Sequence, residues 1–194
     1  ALMKTRHHTI VILFMAVAGC STRLPQTYLL SPGSEPAKLK KSAKTLYVDD
    51  FTAASEYARP QFVYRTSPYR VHFDPVRRWA VSPEDMIREL VHRRITKTGL
   101  FTRITLERGI RPSDFTLRGH IVSLGETIKD KVRSSELALH LELLDKEENV
   151  LWSATKARTR AVNSEQFESV IAAISEGLDA IVDESAGEIM KVVK

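Results

Sequence analysis

The run SELALHLELLD, residues 135–145, leaves fewer folds open than any other stretch of the chain. Leu137, Leu139, Leu141 and Leu143 alternate with Ala138, His140 and Glu142. Successive side chains of a strand point to opposite faces, so a period of two lays the four leucines on one face. The segment reads as a half-buried strand, and its leucine face needs an apolar layer against it. The acidic turn Lys146–Asn149 closes it into a hairpin with a further strand over 149–162.

From Ser164 the period changes. Phe167, Val170, Ile171, Ile174, Leu178, Ile181, Val182 and Ile189 recur at helical spacing, which predicts a long amphipathic helix. Ser164 is the expected cap. Gly177 and Gly187 each weaken the helix by about 1 kcal/mol relative to alanine, so a bend is expected there. The apolar stripe either packs on the sheet or serves ligand binding or dimerisation. Upstream, SPEDMIRELVHRRITKTG carries a complete helix signature. Ser82 is placed to cap, Pro83 sits at the first helical position, and Glu84 and Asp85 suit the positive end of the dipole. Met86, Ile87, Leu90, Val91 and Ile95 form one stripe, and Gly99 supplies the stop. Strands are expected at Thr45–Phe51, Leu100–Leu106 and Asp114–Ile128, the first two parallel because a helix connects them. Segments 62–65 and 71–73, bounded by Pro60, Pro68 and Pro75, read as a protruding hairpin or edge structure. The expected fold is α/β, a mixed sheet of about five strands with helices packed on both faces.

The chain has a single cysteine, Cys20, in TIVILFMAVAGCSTRLP. Lys4 and Arg6 make a basic opening, and an apolar run of about ten residues follows, matching a signal-peptide core. Spanning a bilayer takes about twenty. Met3 is the expected start. Small residues before the cysteine, Ala18 and Gly19, let an extended backbone enter a peptidase groove. The pattern resembles the bacterial lipobox. That resemblance implies thioether attachment of diacylglycerol at Cys20, cleavage before it, and acylation (palmitate) of the new amine, enough chains for stable anchoring. A sulfur so used forms neither a disulfide nor a metal site. Ser21 in second position, rather than Asp, implies sorting to the outer membrane, facing the periplasm. Three regions are expected: signal peptide 1–19, lipidated N-terminus and tether 20–43, and one domain 44–194.

Without Lys4 and Arg6, 27 basic residues face 24 acidic ones, a net charge of +3. That is too little to point to nucleic acid. Lys38, Lys40, Lys41 and Lys44 cluster in the expected tether, where they are either solvated or weakly drawn to anionic headgroups.

No Gly-rich phosphate loop, G-x-S-x-G or H-E-x-x-H occurs. His72, His92, His120 and His140 fall one per element without ligand spacing. Neither an enzyme, a cofactor nor a metal is expected. The distinctive stretch is YARPQFVYRTSPYRVHFDPVRRWAVSPEDM, which sets Tyr57, Tyr64, Tyr69, Phe73 and Trp79 among five arginine side chains. Such residues anchor protein interfaces. Tyr64, Arg65, Arg78 and Trp79 are the candidate partner-binding residues. The competing reading has Trp79 and Tyr64 sealing one end of the sheet while the arginines solvate its rim.

Tyr28–Leu30 after the lipobox, the Tyr64–Arg65 pair, Trp79 followed by Pro83, and Gly99–Phe101 after the helix together resemble the ABC-type transport auxiliary lipoprotein family. The similarity extends through nearly the whole mature chain. It implies a fold like that of anticodon-binding domains, and a non-catalytic outer-membrane component of a system moving lipids between inner and outer membranes. The implied partners are a periplasmic mammalian-cell-entry-type (MCE) domain protein and its ABC permease and ATPase. A homo-oligomer is compatible with it. A structural lipoprotein that stabilises an envelope complex, and a periplasmic amphiphile-binding carrier, are the other classes left open.

Overall fold

The computed structural model describes residues 24–31, 33–109 and 112–193; the expected signal segment, Cys20 and Ser21 lie outside them. In chain order the elements are β1 (Gln26–Tyr28), β2 (Thr45–Val48), β3 (Thr52–Ala53), β4 (Gln61–Ser67), β5 (Arg70–Trp79), α1 (Pro83–Thr98), β6 (Arg103–Thr105), β7 (Phe115–Lys129), β8 (Val132–Leu144), β9 (Val150–Val162) and α2 (Glu168–Val192).

β7 is the spine of a mixed sheet. On one edge it pairs antiparallel with β8, which pairs with β9. Asp130 and Lys131, both at positive φ, make the two-residue β7–β8 turn, the twist that a tight hairpin favours. Asp145 organises the β8–β9 turn by accepting from the amides of Glu147 and Asn149. Along its other edge β7 receives three short strands in succession, all parallel to it: β2, then β3, then β4. β6 flanks β2 in parallel, as expected for strands joined through α1. The expected five strands are all present, and the sheet reaches nine because β1, β3, β4 and β5 join it.

One expectation fails at β4. It lies inside the sheet, between β5 and β7, and not at a protruding edge. The prolines do not prevent this, because Pro68 falls in the β4–β5 turn and Pro75 at a bulge of β5. At that bulge the buried Asp74 carboxylate accepts from the amides of Val76 and Arg77. Gly125 makes the β4–β7 seam possible: a Cβ there would lie 2.1 Å from the Val63 carbonyl oxygen.

Both helices pack on one face, against the expected arrangement. α1 lies beside α2, and the opposite face of the sheet carries the polar row Thr52 on β3, His120, His140 and Thr155. Only one face of the sheet is apolar enough to need cover: Leu137, Leu139, Leu141 and Leu143 are buried, while Ser153, Thr155 and Ala157 on β9 face water. α1 is capped as its sequence requires. The Ser82 hydroxyl accepts from the Asp85 amide at 3.1 Å, and Gly99 is left-handed at φ 71°. α2 starts later than expected. The Ser164 hydroxyl accepts from the Gln166 amide in the preceding turn, and the buried Phe167 occupies the cap position instead. The helix continues through Gly177 and Gly187. At Gly177 the missing side chain lets it approach β9, since a Cβ would sit 3.2 Å from Cβ of Arg158.

The segment expected to be a tether is largely part of the domain. From β1, which pairs with β5, it crosses both helices: Leu30 is buried, Ser31 donates to the Ser175 hydroxyl, and Leu39 and Ser42 donate to the carbonyls of Thr98 and Leu100. Arg94 locks these layers together. Its buried guanidinium bonds both Asp183 oxygens at 2.7 Å, Asp179 at 2.7 Å and the Ser34 carbonyl at 2.9 Å. This segment has no period to read, so its packing was invisible in sequence.

Candidate functional site

β4 and β5 form the hairpin that carries the four candidate residues. Ser67 faces Arg70 across its tip, and Tyr69 in the turn is 97% exposed. Tyr64 lies opposite His72 and stacks on its ring at 4.8 Å, with planes 10° apart. Arg65 turns inward to the buried Tyr57, donating to its hydroxyl at 3.1 Å, and pairs with Glu56 at 2.9 Å. Burial pushes the Tyr57 phenol up, and the bond that Arg65 donates to that phenol holds its guanidinium more firmly protonated.

Arg78 and Trp79 stand at the other end of β5, with Arg78 opposite Gln61. His72 and Arg78 are six residues apart on β5, but their partners Tyr64 and Gln61 are three apart on β4, so the bulge at Pro75 leaves them roughly 10 Å apart along the sheet. Burial, and not distance, keeps the two pairs from making one contact patch. Trp79 is 4% exposed and packs on Phe62 at 5.4 Å between ring centres. Phe62 meets Phe167 edge-on at 4.7 Å, Tyr28 meets Phe167 at 4.8 Å, and the Arg77 guanidinium covers Phe167 at 4.2 Å. These rings close the sheet end against the start of α2, so Trp79 seals the core there. Arg78 is half-buried.

The residues that the hairpin does present are different ones. Tyr69 projects at the tip, and Phe73 is exposed beneath the Arg59 guanidinium, 4.0 Å from its ring centre. Both lie in the Arg- and aromatic-rich stretch. S-P-Y-R holds the signal that was available: proline before tyrosine between two strands places the tyrosine in the turn. A cleft of about 590 Å³ opens at the hairpin base, between Arg59, Pro60, Val81 and Ser82, with Trp79 in its wall.

The histidines add a pattern that sequence missed. His120 and His140 are direct partners across β7 and β8, one bonded to Thr52 and the other to Thr155 and, at 3.3 Å, to Glu142. Each ring is thus occupied by a hydroxyl. Among the described residues, no group of three or more His, Cys, Asp or Glu side chains is placed to hold a metal ion. No helix of the described residues is long and apolar enough to cross a membrane.

A family model, the ABC-type transport auxiliary lipoprotein component, matches residues 28–186. The chain belongs to that family. The match starts at Tyr28 in β1, consistent with the N-terminal segment being integral to the domain. Solved structures share the fold. Protein XCC0632 of Xanthomonas campestris, from the DUF330 family, superposes with a TM-score of 0.76 at 20% identity, covering 86% of this chain and 95% of that one. An uncharacterised protein superposes at 0.69 with 13% identity, covering 86% and 99%. Hypothetical protein CT253 of Chlamydia trachomatis gives 0.53 at 9% identity, covering 78% and 98%. Among curated proteins, none matches the sequence. Membership makes this auxiliary lipoprotein part of an ABC-type transport system of the cell envelope.

Proposed function

We propose that this chain is the non-catalytic outer-membrane lipoprotein of an ABC transporter that moves lipids between the inner and outer membranes through MCE-domain proteins. Cys20 carries the anchor and Ser21 permits outer-membrane sorting, with the domain facing the periplasm. The observation that carries the reading is the family match across residues 28–186. The role is docking. Lipid tails crossing water need a continuous apolar path, and a tethered domain meets the end of that path at high effective concentration. The docking face is the β4–β5 hairpin, centred on Tyr69, Phe73 and the Tyr64–His72 stack. Exposed aromatic side chains beside arginine are the usual hot spots of such contacts.

The test is extraction of the native complex in mild detergent after brief cross-linking. An MCE-domain protein and its permease are expected to co-purify, with cross-links on residues 64–73. Recovery without either partner, or with cross-links only elsewhere on the domain, refutes the docking assignment. Density-gradient fractionation tests the placement. Banding with the inner membrane overturns it.

A further inference from the structure

The lysine cluster ends the N-terminal segment at a specific place. α1 and α2 both finish beside it, and between them lies a cleft of about 610 Å³. Its floor is apolar: Leu100, Met190 and Val193. Lys40, Lys41, Lys44 and Lys191 stand around it. The backbone that presents them is pinned. Ser42 donates its amide to the Leu100 carbonyl at 2.7 Å and its hydroxyl to that of Val193 at 3.1 Å, and Thr102 donates to the Lys44 carbonyl at 2.9 Å.

The charge there is uncompensated. Three lysines elsewhere find partners: Lys97 pairs with Glu35, Lys146 with Asp114, and Lys156 with Glu184 and Glu188. None of the four at the cleft has an ion-pair partner among the described residues, and all four are exposed. The two helix C-termini supply roughly −0.5 each, about one charge against four. An apolar floor with a surplus of about three positive charges selects an amphiphile with an anionic head. The size falls in the range of about 300–1,000 Å³ usual for ligand sites. Concavity favours a single molecule over the flat face of a bilayer.

We propose that this cleft holds one anionic lipid, with an acyl chain on Leu100, Met190 and Val193 and its phosphate among Lys40, Lys41, Lys44 and Lys191. The site stands on the chemistry of the cleft. It rests on the transport reading only for the source of the lipid.

The experiment uses the full lipidated chain in phosphatidylcholine nanodiscs. These carry a small fraction of phosphatidylglycerol with a diazirine at the acyl terminus, or phosphatidylcholine with the same tail. Adducts are mapped by mass spectrometry after illumination. The anionic probe is expected to label peptides containing Met190 and Val193 at least tenfold more than the zwitterionic one. At roughly fivefold per lysine, the combined Lys40→Gln, Lys41→Gln and Lys44→Gln variant loses about a hundredfold in affinity, and the labelling with it. These side chains are exposed and unbonded, so the variant should melt as the parent does. Met190→Asp, which puts a charge on the floor, abolishes labelling by a second route.

Equal labelling by both probes, no labelling of the floor, or labelling that survives the triple substitution overturns the proposal. So does labelling of the lysines by a headgroup diazirine alone, which would mean that the cluster only rests on an anionic surface. The transport reading is scored separately. A triple variant that loses the lipid but keeps its co-purifying partner leaves docking intact, and loss of the partner with lipid retained does the reverse.

Discussion

Trp79→Ala separates the two roles open to the Arg- and aromatic-rich hairpin. The indole is 4% exposed, rests on Phe62 and forms part of the wall of the 590 Å³ cleft at the hairpin base. Removing a buried tryptophan costs about 3–5 kcal/mol, the transfer of its surface plus the cavity left behind. Here the void would open into the existing cleft, so water can enter and the cavity part of the cost shrinks. The expected loss is therefore at the low end, about 3 kcal/mol. For a domain of this size each kcal/mol lowers the melting midpoint by about 2–4 °C, so the drop should be roughly 6–12 °C. Tyr69→Ala is the paired control, because a side chain 97% exposed contributes almost nothing to folding. Thermal unfolding and capture of the proposed MCE-domain partner are measured on both variants. Trp79→Ala should melt early yet bind normally at temperatures where it is folded. If it melts within about 2 °C of the parent, the indole is not a core seal and the packing described for this end of the sheet is wrong.

Tyr69→Ala and Phe73→Ala together should weaken partner capture by roughly thirtyfold, the value of one hot spot of about 2 kcal/mol, with an unchanged midpoint; undiminished capture would remove the hairpin from the interface. Gly125→Ala should cost about 1–3 kcal/mol, because the added methyl meets the backbone oxygen of Val63 rather than a movable side chain; an unaffected denaturation curve would show that β4 does not lie that close to β7. The Asp114 carboxyl is held down to about 2, first by the amide of Thr45 and then by Lys146. Its folded value lies below the ordinary 3.8, so its stabilisation is present above pH 4 and is lost as pH falls from there towards 2. Asp114→Asn should flatten that part of the acid unfolding profile, and a profile identical to the parent's would refute the assignment.

Much of the secondary structure was legible because its causes are local. The leucine alternation at 137–143, the Ser82 cap with Pro83, the Gly99 stop and the helical stripe of α2 are each complete within a window of a few turns. The lipobox-like pattern at Cys20 is of the same kind, a motif readable without a fold, and the anchor it implies belongs to the proposed function. The start of α2 shows the limit of such signals. Ser164 has the right chemistry for a cap, but Phe167 docks against Phe62 and Tyr28 and sets the helix start by long-range packing.

The candidate site was legible by stretch and not by residue. Composition drew attention to the hairpin, yet of the four residues named there Trp79 is core, Arg65 turns to Tyr57 and Arg78 is half-buried. Which face of a strand is covered depends on what crosses it, and that partner can lie far away in sequence. β4 became interior because β7 is fifteen residues long and one of its edges accommodates three short strands in series. No window around residues 61–67 contains that information. The N-terminal segment is the clearest case. Its prolines and lysines describe a solvated linker, and Leu30, Ser31, Leu39 and Ser42 become anchors only where α1 and α2 present a buried methionine, a serine and the carbonyls of Thr98 and Val193 at their ends. Local chemistry decided which elements form. Tertiary contact decided which apolar and charged groups are covered, because burial belongs to pairs of distant segments and not to either one alone.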